Sequence, residues 1–176
     1  MEQYKVFYDE QVNGLLLSLV AVVVVVFFIT VNLAVTLLTV LAVILVDFYL
    51  VALIYFWGLT LNMFTGLNMV FALGLAVDYS SHIAHSFLLA KPPSSCVTDS
   101  EKRHYKARIA VSQMGSSVIH GGASTFLSIT MLGFSKSYAF ICFFKTWVGI
   151  IIFGISNGFL LMPVILSICG PLIEPE

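Results

Sequence analysis

The fold class is decided by residues 14 to 33, GLLLSLVAVVVVVFFITVNL, where no side chain carries a charge. An apolar helix of about 20 residues is long enough to span the hydrocarbon core of a bilayer. The stretch follows Asp9 and Glu10 instead of a basic segment and has no small-residue cleavage site, so it predicts a membrane span and not a signal peptide. Valine favours strands in water, but in lipid a helix satisfies every backbone group internally.

The composition of the whole chain agrees with a membrane protein. Of 176 residues, 60% are hydrophobic and 10% are charged, whereas soluble chains are about 45–50% apolar and about 25% charged. Eight Lys and Arg against nine Asp and Glu give a net charge of −1, which leaves no basic surface for nucleic acid. The three cysteines, Cys96, Cys142 and Cys169, lack metal-ligand spacing, and their odd number argues against a disulfide scaffold.

Four more apolar runs are long enough to cross a bilayer. They cover residues 37 to 57, 65 to 89, 115 to 134 and 147 to 168. The sequence therefore predicts an all-α integral membrane protein with five transmembrane helices in a membrane domain of residues 14 to 169. Pro163 predicts a kink in the last span.

Positive charge predicts the orientation of the spans, because cytoplasmic loops are enriched in Lys and Arg. Five of the eight basic residues lie in the polar loop of residues 90 to 110: Lys91, Lys102, Arg103, Lys106 and Arg108. We therefore expect this loop and the tail of residues 170 to 176 to be cytoplasmic, and residues 1 to 13 to be extracytoplasmic. An ordinary positive-inside anchor explains the loop better than a specific lipid-binding patch.

The third span carries a polar face in its apolar surroundings. At about 100° per residue, one arc of the helix holds five such positions. They are Gly74, Asp78, Ser81, His82 and His85. An acid at a helix centre costs about 2.5–3.5 kcal/mol on insertion scales, so it usually has a functional reason.

Asp78 and His82 are spaced i, i+4 and can form a hydrogen bond, which is the geometry of a proton relay. Two alternatives remain open. Asp78 can pair with a hydroxyl of a neighbouring helix and hold the packing, or Asp78, His82 and His85 can bind a transition metal. The metal alternative is the weaker, since no cysteine or methionine converges on this face, and no metal site is predicted.

The fourth span offers a surface for that polar face. Its small and hydroxyl-bearing residues are Ser117, Gly121, Ser124, Thr125 and Ser128, with His120 at the edge. Such residues allow close helix packing, so we expect this surface to bring hydroxyl groups near Asp78.

A second intramembrane acid, Asp47, lies midway along the second span with no polar companion on its own face. A structural hydrogen bond and a part in ion coupling are equally compatible with it. The sequence contains no hydrolase, zinc-protease or phosphate-loop motif, so we expect neither an enzyme nor a cofactor.

Three stretches resemble the Patched-related and Niemann–Pick C1 proteins of the resistance–nodulation–division superfamily. They are WGLTLN with LNMVFALGLAVDYSSHIAHSF (57 to 62 and 67 to 87), MGSSVIHGGASTFLSITMLGFSKS (114 to 137) and GISNGFLLMPVILSICGP (154 to 171). The most specific block is Gly-x-x-x-Asp-Tyr-Ser-Ser-His-Ile. The resemblance covers nearly the whole chain.

This resemblance implies that the five spans are similar to helices eight to twelve of a twelve-helix transporter. It implies that Gly74 and Asp78 match a family motif for cation coupling, with protons or another cation as the coupling ion. Family members use an ion gradient to move sterols or other lipids, and some act as receptors or sterol sensors. The first half of such a transporter is absent here, so the resemblance also implies a missing N-terminal half or a partner chain.

Overall fold

The computed structural model describes residues 2–60, 62–93 and 98–172, with side chains from residue 8 onward. Cys96 and the last residues of the predicted tail lie outside the described residues.

The described chain forms five helical rods. They are α1 (Glu2–Thr30), α2 (Leu33–Phe56), α3 (Met63–Leu89), α4 (Asp99–Gly133) and a composite rod of α5 (Tyr138–Ser156), a π-helical turn (Asn157–Leu161) and α6 (Met162–Cys169). The described residues include no strand. The predicted all-α membrane fold is therefore confirmed.

Four of the five rods are long and apolar enough to cross a membrane. They are Tyr8–Thr30, Leu33–Phe56, Met63–Leu89 and Tyr138–Cys169. Residues 115 to 134, predicted as the fourth span, are helical within α4 up to Gly133 but do not reach the same hydropathy. The reason is the number of small and hydroxyl-bearing residues on that helix.

Short polar signals set the helix ends. The first helix ends at Thr30. Asn32 accepts a hydrogen bond from the Val35 backbone N–H at 3.1 Å, so the second helix begins at Leu33, earlier than residue 37. Gly58 adopts φ +61° just after α2, as expected of a glycine that ends a helix. The predicted loop of residues 90 to 110 is helical from Asp99 onward, because α4 begins there.

The third helix is the centre of the bundle and contacts every other rod. In the most apolar part of α3, 56% of the residues are buried, whereas in the most apolar part of α1 only 11% are buried. A capping box fixes its start: the Asn62 side chain accepts from the Thr65 N–H at 3.1 Å, and the Thr65 hydroxyl accepts from the Asn62 N–H at 2.8 Å. The helix that carries the predicted site is thus also the best supported one.

Two apolar clusters hold the other helices on α3. The first joins Val46 and Leu50 of α2 to Leu73 and Ala76 of α3, and the second packs Phe87 of α3 among residues of α2, α4 and α6. Both clusters lie on one side of α3. The opposite side is left to the polar residues described below.

A π-helical turn precedes Pro163 in the last rod, in place of a regular α-helical path. Proline lacks a backbone N–H and crowds the carbonyl four residues earlier, so the helix must depart from regularity there. The backbone comes closest to α3 at this point, since a Cβ on Gly158 would lie 3.0 Å from the Cβ of Tyr79.

Candidate functional site: a polar stripe on the central helix

Gly74, Asp78 and His82 form a stripe along the outward side of α3. The Asp78 Oδ1 and the His82 Nε2 lie 3.1 Å apart, as the i, i+4 spacing predicts. The two side chains are 62% and 59% exposed, respectively. The pair exists, but on a face that the described helices leave open.

The other two predicted members of this face behave differently. Ser81 is buried, and its hydroxyl donates to the Asp78 backbone carbonyl at 3.3 Å. His85 is half-buried one turn further on. The described residues contain no group of three His, Cys, Asp or Glu side chains able to hold a metal ion, so Asp78, His82 and His85 do not assemble into a metal centre there.

The predicted partner surface on α4 does not reach Asp78. Its hydroxyls bond within their own helix: Ser124 and Thr125 both donate to the Gly121 carbonyl at 2.9 Å. Likewise the Nδ1 of His120 lies 2.6 Å from the Ser116 carbonyl oxygen. These groups, like Ser117, face outward.

The face of α4 that packs inward is a different one. A Cβ on Gly115 would lie 2.5 Å from a ring atom of Phe159, and a Cβ on Gly122 would meet the Ile155 side chain. Glycines thus let α4 approach the composite rod closely. Close packing through small residues therefore involves a different face of α4 and a different neighbour from those that the sequence predicts.

One side-chain hydrogen bond between α3 and α4 gives the relative depth of their polar faces. Ser86 of α3 donates to the side-chain oxygen of Gln113 on α4 at 3.0 Å. Since antiparallel helices advance about 1.5 Å per residue in opposite directions, this pair places Asp78 at the depth of Gly121. The stripe of α3 and the hydroxyl face of α4 therefore share one level of the bundle without touching through side-chain hydrogen bonds.

On its other flank the stripe borders α1. A cavity of about 340 Å³ is lined by Gly74 and Asp78 together with apolar side chains of α1, among them Val22 and Val25. No atom lies within 4 Å of the position that a Cβ on Gly74 would occupy. The stripe thus forms the floor of an open groove, and the groove leaves room for another helix to pack there.

The structure also shows buried polar groups on the far side of α3. Asp47 is half-buried, and its Oδ1 has no hydrogen-bond partner in the described part of the chain. The same holds for the buried Tyr79 and Ser80 hydroxyls. Sequence reasoning named Asp47 but missed Tyr79 and Ser80, although their positions next to Asp78 already put them on the opposite face of the same helix.

The chemistry available on the stripe is proton or cation exchange. A carboxylate can accept a proton or bind a cation, and an imidazole within hydrogen-bond distance can exchange a proton with it. Ionisable groups inside membrane helices commonly mark substrate and ion pathways or proton relays.

Comparison with known proteins identifies relatives, one of them over nearly the whole chain. The chain is 31% identical over 173 residues, 97% of its length, to the NPC intracellular cholesterol transporter 1 homolog 1b of Drosophila melanogaster. It is 39% identical over 104 residues (58% of the chain) to the protein patched homolog 1 of Caenorhabditis elegans. It is 36% identical over 107 residues (60% of the chain) to the NPC intracellular cholesterol transporter 1 of Sus scrofa.

The chain spans only 13%, 7% and 8% of the lengths of these three relatives. No protein-family model matches it. Its helical fold and its similarity to both groups of relatives show that the chain belongs to the Patched and Niemann–Pick C1 type of the resistance–nodulation–division superfamily.

Proposed function

We propose that the chain acts as the C-terminal membrane half of a Patched-like transporter, which uses an ion gradient to move a sterol or another lipid. Two of the relatives are named cholesterol transporters, which supports a sterol-related membrane protein. Asp78 is the residue that takes up the coupling ion, and His82 assists it, with His85 one turn away.

The single observation that carries this proposal is the Asp78–His82 contact of 3.1 Å. Both partners belong to α3, so the contact does not hold two of the described helices together. A carboxylate whose only role was to lock helix packing would instead pair with a neighbouring helix, as Ser86 does with Gln113. The location of the pair on one helix therefore favours ion exchange over a packing role.

The exposed stripe also supports a missing covering unit. An acid facing lipid at mid-membrane depth costs about 2.5–3.5 kcal/mol, and such groups face a bundle interior or a water-filled cavity. A second polypeptide unit packed between α1 and α4 would remove this cost. We assign that role to an N-terminal half or to a partner chain.

The proposal includes an orientation. The basic residues of the first turns of α4 support a cytosolic location for that end of the bundle, with the N-terminus outside or lumenal and the C-terminus cytoplasmic, in the plasma membrane or an endomembrane. An epitope tag at the C-terminus should be accessible to antibody after selective permeabilisation of the plasma membrane. A tag accessible on intact cells, or only after all membranes are permeabilised, would reverse the orientation.

The transport proposal is tested by sterol transfer with the protein in its complete natural length, reconstituted in liposomes with an imposed proton or sodium gradient. Asp78→Asn should abolish gradient-driven transfer, because an amide cannot take up the ion, and Asp78→Glu should retain part of it. Asp9→Asn is the matched control, since Asp9 is an exposed acid of α1 ahead of the apolar stretch. Unchanged transfer with Asp78→Asn would refute the proposal.

The same variants separate transport from a non-transporting receptor or sterol-sensing regulator. If the polar groups only hold helices together, Asp78→Asn lowers the melting temperature or the expression level, and wild type shows no gradient-dependent transfer. If the polar groups couple ions, Asp78→Asn loses gradient-driven transfer while the melting temperature of the protein is unchanged.

A further inference from the structure

A second groove lies at the opposite side of α4 from the polar stripe. It runs between the first half of α4 and α6 and has a volume of about 420 Å³. The lining residues that matter below are His104, Arg108 and Val111 of α4 with Pro163, Val164 and Ser167 of α6. The ion-coupling proposal uses none of them.

The groove is polar at one end and apolar along its length. A hydrogen bond of 3.1 Å from Arg103 to the Ile168 carbonyl aligns the two antiparallel helices. His104 therefore lies at the depth of Ser167, near the end of α6, and Arg108 lies about one turn deeper. Pro163 and Val164 lie level with Arg108, and Val111 extends the apolar wall about one turn further into the bundle.

The groove opens at the boundary between membrane and water. The composite apolar rod that could span the membrane ends at Cys169, two residues after Ser167. The polar end of the groove thus lies at headgroup depth, and its apolar part lies at the depth of acyl chains. The long side chain of Arg108 can extend its charge from within the apolar layer to the interface.

The positive charge of Arg108 is available at the polar end. Arg108 and His104 are exposed, and neither has a hydrogen bond or an ion pair with another described residue. The acids of the first turn of α4, Asp99 and Glu101, precede the groove. The sequence of α6 contains no acid.

We propose that this groove binds one anionic phospholipid, with its phosphate at His104 and Arg108 and an acyl chain along Val111, Pro163 and Val164. Arginine forms forked hydrogen bonds with phosphate, and basic pockets between helices on the cytoplasmic side bind anionic headgroups. A zwitterionic lipid fits the apolar wall equally well but brings no net negative charge to the two basic side chains. The groove therefore discriminates by headgroup charge.

The test is native mass spectrometry of the full chain in detergent, titrated with phosphatidylserine or with phosphatidylcholine of the same acyl chains. Wild type should retain phosphatidylserine at least several-fold better. Arg108→Ala should lower phosphatidylserine retention to the level of phosphatidylcholine. Equal retention of the two lipids by wild type would overturn the proposal.

Two further variants separate a defined site from general attraction between charges. Lys102→Ala removes one positive charge from the same helix at a residue that does not line the groove, and it should leave retention unchanged. Val164→Trp fills the apolar wall at a residue that is 55% exposed, keeps the charge, and should lower retention. Equal losses with Arg108→Ala and Lys102→Ala, or no loss with Val164→Trp, would show nonspecific anchoring and overturn the site.

Discussion

The two sides of α3 differ in what covers them. On the inner side, Ala72, Ile83 and Phe87 are fully buried against α2, α4 and the composite rod. On the outer side, Asp78 and His82 remain more than half exposed. Ionisable groups within membrane helices usually face a bundle interior or a water-filled cavity. The comparison therefore agrees with the proposal that another unit covers the outer side of α3.

The glycines of the bundle show the same difference. A Cβ on Gly158 would lie 3.0 Å from the Cβ and 3.1 Å from the backbone carbon of Tyr79, so the inner side of α3 is in tight contact. A Cβ on Gly74, on the outer side, meets nothing within 4 Å. Gly158 is required by a contact that is already made, whereas Gly74 is suited to a contact that the described chain does not make.

The largest expected effect is on the inner side. Phe87→Ala should lower the free energy of unfolding by about 3 kcal/mol, because it removes a fully buried ring and leaves a cavity. The change also removes the ring beneath the Lys106 ammonium, which lies 5.8 Å from the ring centroid. Unfolding of the full chain in mixed micelles, followed by circular dichroism, measures it. The control is Phe71→Ala, at a ring of the same helix that is 45% exposed and should cost much less.

The next effect contrasts the two glycines. Gly158→Val should destabilise the chain by about 1–3 kcal/mol, since its side chain overlaps the backbone of Tyr79 and cannot be accommodated by rotating a flexible group. Gly74→Val should leave stability within about 0.5 kcal/mol, as expected for an unobstructed surface position. Both are measured in the same micelle assay. Equal losses would show that the outer side of α3 is packed within the chain itself.

The helices were readable from the sequence because apolar length alone predicts a span. The contact of Asp78 with His82 was readable as well, because i, i+4 geometry is local to one helix. The sequence could not predict which helix each face would contact. Gly115 and Gly122 look as suited to α3 as to the composite rod, and only the fold shows that they contact Phe159 and Ile155.

The composite rod shows a second limit of the sequence. Pro163 predicts an irregular helix, but it does not predict where the extra residue of a π-helical turn is placed. The turn lies at Asn157–Leu161, where Gly158 meets Tyr79. The irregularity and the closest helix contact therefore coincide, and this depends on the tertiary packing of α3.

A smaller effect is expected where the proposed covering unit meets the stripe. Gly74→Leu should lower gradient-driven sterol transfer by about tenfold, equivalent to about 1.4 kcal/mol, because its side chain projects into the contact with that unit. The melting temperature of the chain alone should not change. Transfer at the wild-type rate would indicate that nothing packs against Gly74. The matched control is Gly14→Leu, another glycine with no atom within 4 Å of its Cβ position.

The smallest effect concerns the Asp78–His82 pair in the chain alone. Both groups lie on one helix, so the pair can persist when the helices separate, and i, i+4 ion pairs contribute only about 0.3–0.5 kcal/mol. A double-mutant cycle of Asp78→Asn and His82→Gln should therefore give a coupling energy of this size for unfolding in micelles. If the pair were instead enclosed by packing within the chain, the cycle would give well above 1 kcal/mol. The small value, combined with a large loss of transport for Asp78→Asn, would mean that the carboxylate is present for the ion and not for the stability of the bundle.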